Sequence, residues 1–187
     1  SNNQKYLENK KILNSIKNSE HRIETVYTQP PKKSKRGQKL NLSPVHDYSI
    51  KNKLEVRYPV KLEEDKEIDY IKKLNPDLVV VVAYGKIIPT KILNIENLKF
   101  INVHASLLPR WRGAAPIQRS IIEMDQETGI SIMKIIPQLD AGPFFLQEKI
   151  KIDKKDNYST LSNKLSVMGS KLIIKTLKQI EKNDYNL

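Results

Sequence analysis

The sequence predicts an α/β fold built on a wound, mostly parallel sheet with antiparallel additions and flanking helices. Three observations predict it. In "DLVVVVA" six apolar residues, Leu78 to Ala83, follow Asp77 without a break, which is the pattern of a strand buried on both faces of a parallel sheet. Segments of helical and strand spacing alternate through the front half, as crossover-linked parallel strands require. Finally, "GISIMKII" and "FFLQEKIKI" are β-rich runs joined by the short "PQLDAGP", a connection that adds antiparallel strands at one side.

Each element has its own local warrant. "YLENKKILNSIKN" places Leu7, Ile12, Leu13 and Ile16 near helical spacing between charged residues, so it predicts an amphipathic helix. "HRIETVYT" alternates as a strand, and "QPPKKSKRGQKLNLSP" has no apolar period and reads as an exposed loop. "LEVRYPV" is a short strand, and "LEEDKEIDYIKKLN" a helix ending at Asn75-Pro76. After the valine run comes a short helical or turn segment near Lys91 to Asn94, then the strand "FINVH". "AAPIQRSIIEM" is a helix with Pro116 in its first turn, where proline is tolerated, and the chain closes on a long amphipathic helix, "YSTLSNKLSVMGSKLIIKTLKQIEKN".

The 187 residues suit one domain with a sizeable core. The longest apolar run is far below the ~18 residues of a membrane span, so a soluble chain is expected, with no export-type leader. Zero cysteines excludes disulfides and thiolate metal sites and fits a reducing compartment. A formal charge of +12 suits a polyanionic partner, although lysine greatly outnumbers arginine and such a composition also arises as a solvated surface.

Ligands of open α/β sheets bind beyond the carboxyl ends of the strands. Asn102 and His104 alternate with Ile101 and Val103, so both polar groups project to one side of a strand that ends in the loop "ASLLPRWRG". Asp140 sits in the later loop "QLDAG", 38 positions after Asn102. Together they offer an amide donor, an imidazole that titrates near ~6.5 when unperturbed, and a carboxylate to orient and charge it. That trio suits acyl transfer by direct amine attack, with Asn102 and His104 donating to the developing oxyanion and Asp140 moving protons, and it needs no covalent nucleophile. The other histidines, His21 at a helix-to-strand turn and His46 in a polar loop after Ser43-Pro44, are not catalytic candidates.

"INVHASLLPRWRGAAPIQ", "VVVVAYGKIIP", "ETGISIMKIIPQLDAGP" and "VYTQPPKKSKRGQKL" together resemble the folate-dependent formyltransferases, and within them the branch that formylates methionyl initiator tRNA. The resemblance runs from about Ile23 to the end and implies the Rossmann-like formyltransferase fold. It implies 10-formyltetrahydrofolate as donor, the α-amino group of methionyl initiator tRNA as acceptor, and no metal. Its catalytic trio maps onto Asn102, His104 and Asp140. The folate would lie against Tyr84, Gly85, Ile87 and Pro89, the segment Ser106, Leu107, Leu108 and Pro109, and Leu139 with Asp140.

The family's tRNA enzyme reaches the acceptor stem with a basic loop. Here Lys32, Lys33, Lys35 and Lys39 would neutralise phosphates, and Arg36 would read a base edge. A monomer in a bacterial cytoplasm or an organelle is expected. Arg110 and Arg112 beside Trp111 either serve the acceptor end or cap their loop. Residues 1–187 read as a catalytic domain lacking the first hydrophobic strand with which members begin and the small C-terminal β-barrel of the tRNA enzyme. Two alternatives stay open: transfer to an amino sugar nucleotide, which shares the trio and the SLLP loop but not RGAAPIQ or the basic loop, and a basic RNA-binding module without catalysis.

Overall fold

The computed structural model describes residues 2–33 and 40–185. Along the chain these form α1 (Asn2–Lys17), β1 (Val26–Tyr27), β2 (Lys32–Lys33), β3 (Leu40–Asn41), α2 (Pro44–Lys51), β4 (Val56–Arg57), α3 (Asp65–Leu74) and β5 (Leu78–Val81). There follow α4 (Thr90–Leu93), β6 (Lys99–His104), α5 (Pro116–Ile122), β7 (Glu127–Lys134), β8 (Phe144–Lys151) and α6 (Tyr158–Glu181). The main sheet has the order β5-β6-β7-β8; β5 runs parallel to β6, and the next two junctions are antiparallel. A separate two-stranded ladder pairs β1 with β4 in parallel.

The main core forms where β6 and β7 pack against α1 and α6. Ile101, Ile132, Leu161 and Ile173 are fully buried there, each stabilising the fold by ~1.5–3 kcal/mol relative to exposure. α6 begins at a capping box, the Asn157 side chain accepting from the Thr160 N–H and the Thr160 hydroxyl accepting from the Asn157 N–H. Gly169 lets this helix approach closely, since a Cβ there would stand 3.4 Å from Val103 and 3.5 Å from Ile12. A second core gathers Leu62, Ile68, Ile71, Ile92, Leu98 and Phe100. Beside it, buried Glu67 takes a two-pronged pair from Arg57, at 2.9 Å on each prong, and a hydrogen bond from the Tyr27 hydroxyl at 3.0 Å.

Three expectations need correction. β5 is only partly buried along its length rather than buried on both faces, because among the described residues it pairs with β6 alone and its other side borders a cavity of about 790 Å³ that reaches β1. The stretch read as a loop carries a short antiparallel ladder, Lys32 opposite Asn41 and Lys33 opposite Leu40. His46 lies in a helix rather than a polar loop and is 4% exposed. Ser43 caps that helix, accepting the His46 N–H at 3.1 Å, and Pro44 opens its first turn. No helix among the described residues is long and apolar enough to cross a membrane.

Candidate active site

β6 ends at the rim with Asn102 opposite Met133 and His104 opposite Ser131 on β7. This pairing fixes the backbone of both polar residues. The His104 Nε2 stands 2.9 Å from the Trp111 carbonyl oxygen. A carbonyl can only accept, so Nε2 carries the hydrogen. Nδ1 then turns toward Asp140, whose Oδ2 is 3.6 Å away, an ion-pair distance too long for a hydrogen bond. The Asn102 amide is 3.5 Å from Asp140 Oδ1, at the outer limit.

Asp140 reaches this point because the β7–β8 connection folds back tightly. Lys134 N–H donates to the Pro143 carbonyl at 2.8 Å, and Ile135 N–H to that of Phe100 at 2.8 Å. A Cβ on Gly142 would lie 1.9 Å from the Lys134 carbonyl oxygen, so only glycine fits. The Gly113 N–H then donates to Asp140 Oδ2 at 2.8 Å, tying this loop to the one that follows β6.

That second loop is anchored from below. Ser106 is fully buried; its hydroxyl donates to the Arg110 carbonyl at 2.6 Å and its carbonyl accepts from Ser131 at 2.7 Å. Ser131 also accepts the Leu108 N–H at 3.1 Å, and Gln147 donates to the Leu108 carbonyl at 3.1 Å. Leu107 packs where a Cβ on Gly129 would intrude, at 2.6 Å. Ser106, Leu107 and Leu108 therefore hold the loop onto β7 and β8, while Pro109 is exposed.

Among the other residues singled out in the sequence, Tyr84 follows β5 with its ring in the second core, and burial raises its phenol pKa. Gly85 has φ +75°, in the left-handed region. Ile87 is 86% exposed and Leu139 68% exposed, two apolar side chains open to solvent, while Pro89 precedes α4. Lys32 and Lys33 lie on β2; Lys35, Arg36 and Lys39 fall outside the described residues. Just ahead of β2 the chain meets the segment that follows β5, because Gln29 Nε2 donates to the Tyr84 carbonyl at 2.8 Å. Chemically, the trio presents an amide, an imidazole and a carboxylate around one point with bonding capacity left over. Such a set can hold a polarised carbonyl and shuttle a proton.

The formyl transferase family model matches residues 2–177. The chain belongs to the formyl transferase family. The methionyl-tRNA formyltransferase of Pelagibacter ubique is 52% identical over 170 residues, covering 90% of this chain and 55% of that protein. The methionyl-tRNA formyltransferase of Prochlorococcus marinus strain MIT 9515 is 50% identical over 174 residues, covering 92% of the chain and 53% of the relative. The chain thus spans about half the length of the curated relatives it matches. The crystal structure of phosphoribosylglycinamide formyltransferase from Bacillus halodurans superposes with a TM-score of 0.75 at 20% identity, covering 93% of this chain and 89% of that one. At that identity the likeness shows the fold.

In this chain, Arg110 and Trp111 cap their loop. Arg110 forms a two-pronged pair with Asp125 at 3.0 and 2.6 Å, and Trp111 Nε1 donates to the same carboxylate at 2.7 Å. The Arg110 and Arg119 guanidinium groups lie 4.2 and 4.7 Å from the Trp111 ring centre. The Arg110 guanidinium, with help from the indole N–H, holds the Asp125 carboxyl below its usual range despite burial. Sequence reading missed Asp125 and the Gly113 amide. The glycine in "WRG" was the one available signal for the second; nothing local pairs Asp125 with Arg110.

Proposed function

We propose that this chain is the catalytic part of an enzyme that transfers a formyl group from 10-formyltetrahydrofolate to the α-amino group of methionyl initiator tRNA. The observation that carries the reading is the meeting of Asn102, His104 and Asp140 within 3.5–3.6 Å at one rim. Relatives bearing that name at about half identity support the choice of acceptor.

The amine nitrogen attacks the formyl carbon, its C–N bond forming as the carbonyl electrons move onto oxygen. Asn102 donates to that oxygen from its amide. His104 rests with Nε2–H committed to Trp111 and Nδ1 unprotonated; Nδ1 donates to the oxyanion once it has taken up a proton passed on by Asp140 or by water. Asp140 accepts the proton the amine loses, directly or through water, and the C–N bond to the donor breaks as the departing nitrogen gains a proton. The exposed Ile87 and Leu139 and the backbone after β5 are suited to a flat, partly apolar donor. Lys32, Lys33, Lys35 and Lys39 supply salt-sensitive affinity and Arg36 specificity, and just ahead of Lys32 the Gln29 side chain fastens the chain to Tyr84.

The test is formyl transfer to charged initiator tRNA by the parent, His104→Ala and Asp140→Ala. Loss of an oxyanion donor lowers kcat by about 10²–10³-fold. A parent that binds tRNA without transferring formyl would favour the RNA-binding module instead.

We also infer that residues 1–187 are the catalytic portion of a longer enzyme whose sheet is completed by a further strand between β1 and β5. The cavity supports this, since one strand needs about 4.8 Å to each neighbour and both bordering edges are unpaired in the described residues. A fusion carrying an apolar strand ahead of α1 is expected to raise the urea midpoint; an unchanged midpoint would refute it.

A further inference from the structure

Among the described residues, the His104 side chain has one hydrogen-bond partner, the Trp111 carbonyl at 2.9 Å from Nε2. That carbonyl sits in a backbone that does not favour it. Trp111 has φ +60°, with Gly113 at +81° and Ala115 at +57° close behind. A non-glycine residue in the left-handed region is strained and persists where its surroundings over-determine it.

What over-determines Trp111 is Asp125. Its Oδ2 accepts the indole N–H at 2.7 Å, while its two oxygens receive Arg110 at 3.0 and 2.6 Å. Arg110 is then held over the indole face, with Arg119 also near the ring. The carboxylate is itself fixed at the end of α5, where Asp125 N–H donates to the Ser120 carbonyl at 2.9 Å. A rigid chain of contacts therefore runs from the end of α5, through the side chain of Trp111, to its backbone carbonyl and on to the imidazole.

We propose that Asp125 is a positioning residue for His104: by pinning Trp111 in its left-handed turn, it keeps the imidazole as the Nε2–H tautomer and leaves Nδ1 facing Asp140 and the reacting centre. The kinetic part of this rests on the formyl-transfer reading; the tautomer does not. Without the pin, Trp111 relaxes, its carbonyl leaves Nε2, and the neutral ring can carry its proton on either nitrogen.

The experiment compares the parent with Asp125→Ala, Asp125→Asn and Trp111→Phe. Side-chain ¹⁵N spectra of the three histidines, assigned through His21→Gln and His46→Gln, report the tautomer, and transfer kinetics are measured beside them. The parent shows His104 as Nε2–H. Asp125→Ala and Trp111→Phe show a mixed tautomer, with kcat lower by about 10²-fold, the scale of a misplaced catalytic group, and KM little changed. Asp125→Asn, which keeps an oxygen for the indole, restores much of both. Trp111→Phe keeps the Arg110–Asp125 pair and so decides the matter even where Asp125→Ala fails to fold. An unchanged Nε2–H tautomer in Trp111→Phe overturns the proposal, whatever the rates. The spectra decide equally where the parent transfers no formyl group, a result that counts against the transfer reading alone.

Discussion

Two polar clusters in this molecule use similar side chains to opposite ends. Around Glu67, every contact is short: 2.9 and 2.9 Å from Arg57 and 3.0 Å from Tyr27, with the residue 3% exposed. At the rim, the Asn102–Asp140 and His104–Asp140 separations are 3.5 and 3.6 Å. The first cluster has met its bonding capacity and fastens β1 and β4 to α3. The second has capacity in reserve and sits where a ligand can use it. A satisfied buried network contributes to stability, and an unsatisfied one at a strand end is free to act on something else.

The largest test of this contrast is Glu67→Ala. Leaving Arg57 without its partner is expected to cost about 3–5 kcal/mol in urea unfolding, whereas Asp140→Ala should change stability far less; equal losses would break the comparison. Next, Asn102→Ala should lower formyl transfer by an amount equivalent to ~2.7–4 kcal/mol of barrier, with the urea midpoint nearly unmoved. A comparable fall in midpoint would make Asn102 structural.

Arg36→Ala should weaken transfer to initiator tRNA by about 1–3 kcal/mol while leaving donor binding intact, as a titration with the folate would report. Parallel losses in both would assign Arg36 a structural role. Acid sharpens the contrast further. Hydrogen bonding from Arg57 lowers the Glu67 pKa, and Arg110 does the same for Asp125. Each carboxylate therefore stabilises the fold above its unfolded value, about 4.3 for Glu and 3.9 for Asp, and that contribution is lost as pH falls through the depressed folded value. Urea midpoints measured from pH 6 downward should drop more steeply in the parent than in Glu67→Gln. The smallest effect is expected at Asn157→Ala, which removes the cap of α6 for about 1 kcal/mol.

Sequence reading succeeded where the deciding physics was local. The apolar spacing of Ile68 and Ile71 before Asn75-Pro76 marked α3, and the short "PQLDAGP" marked the antiparallel junction of β7 and β8. Asn102 and His104 were visible because alternate residues of a strand share a face. α2 was missed because His46, Asp47 and Ser49 hide its apolar period, although Ser43-Pro44 was a readable start signal. The exposure of β5 could not be read from its valines, since burial depends on which strands stand beside it. Asp125 was invisible for the same reason, its partners being brought to it only by the fold.

β5 leans on one neighbour while β7 is flanked by two. The cavity side of β5 has no strand paired to it among the described residues, so deuterium should label its amides there within the earliest exchange times, long before the amides of β7. Isotope uptake would thus trace an open seam between β1 and β5.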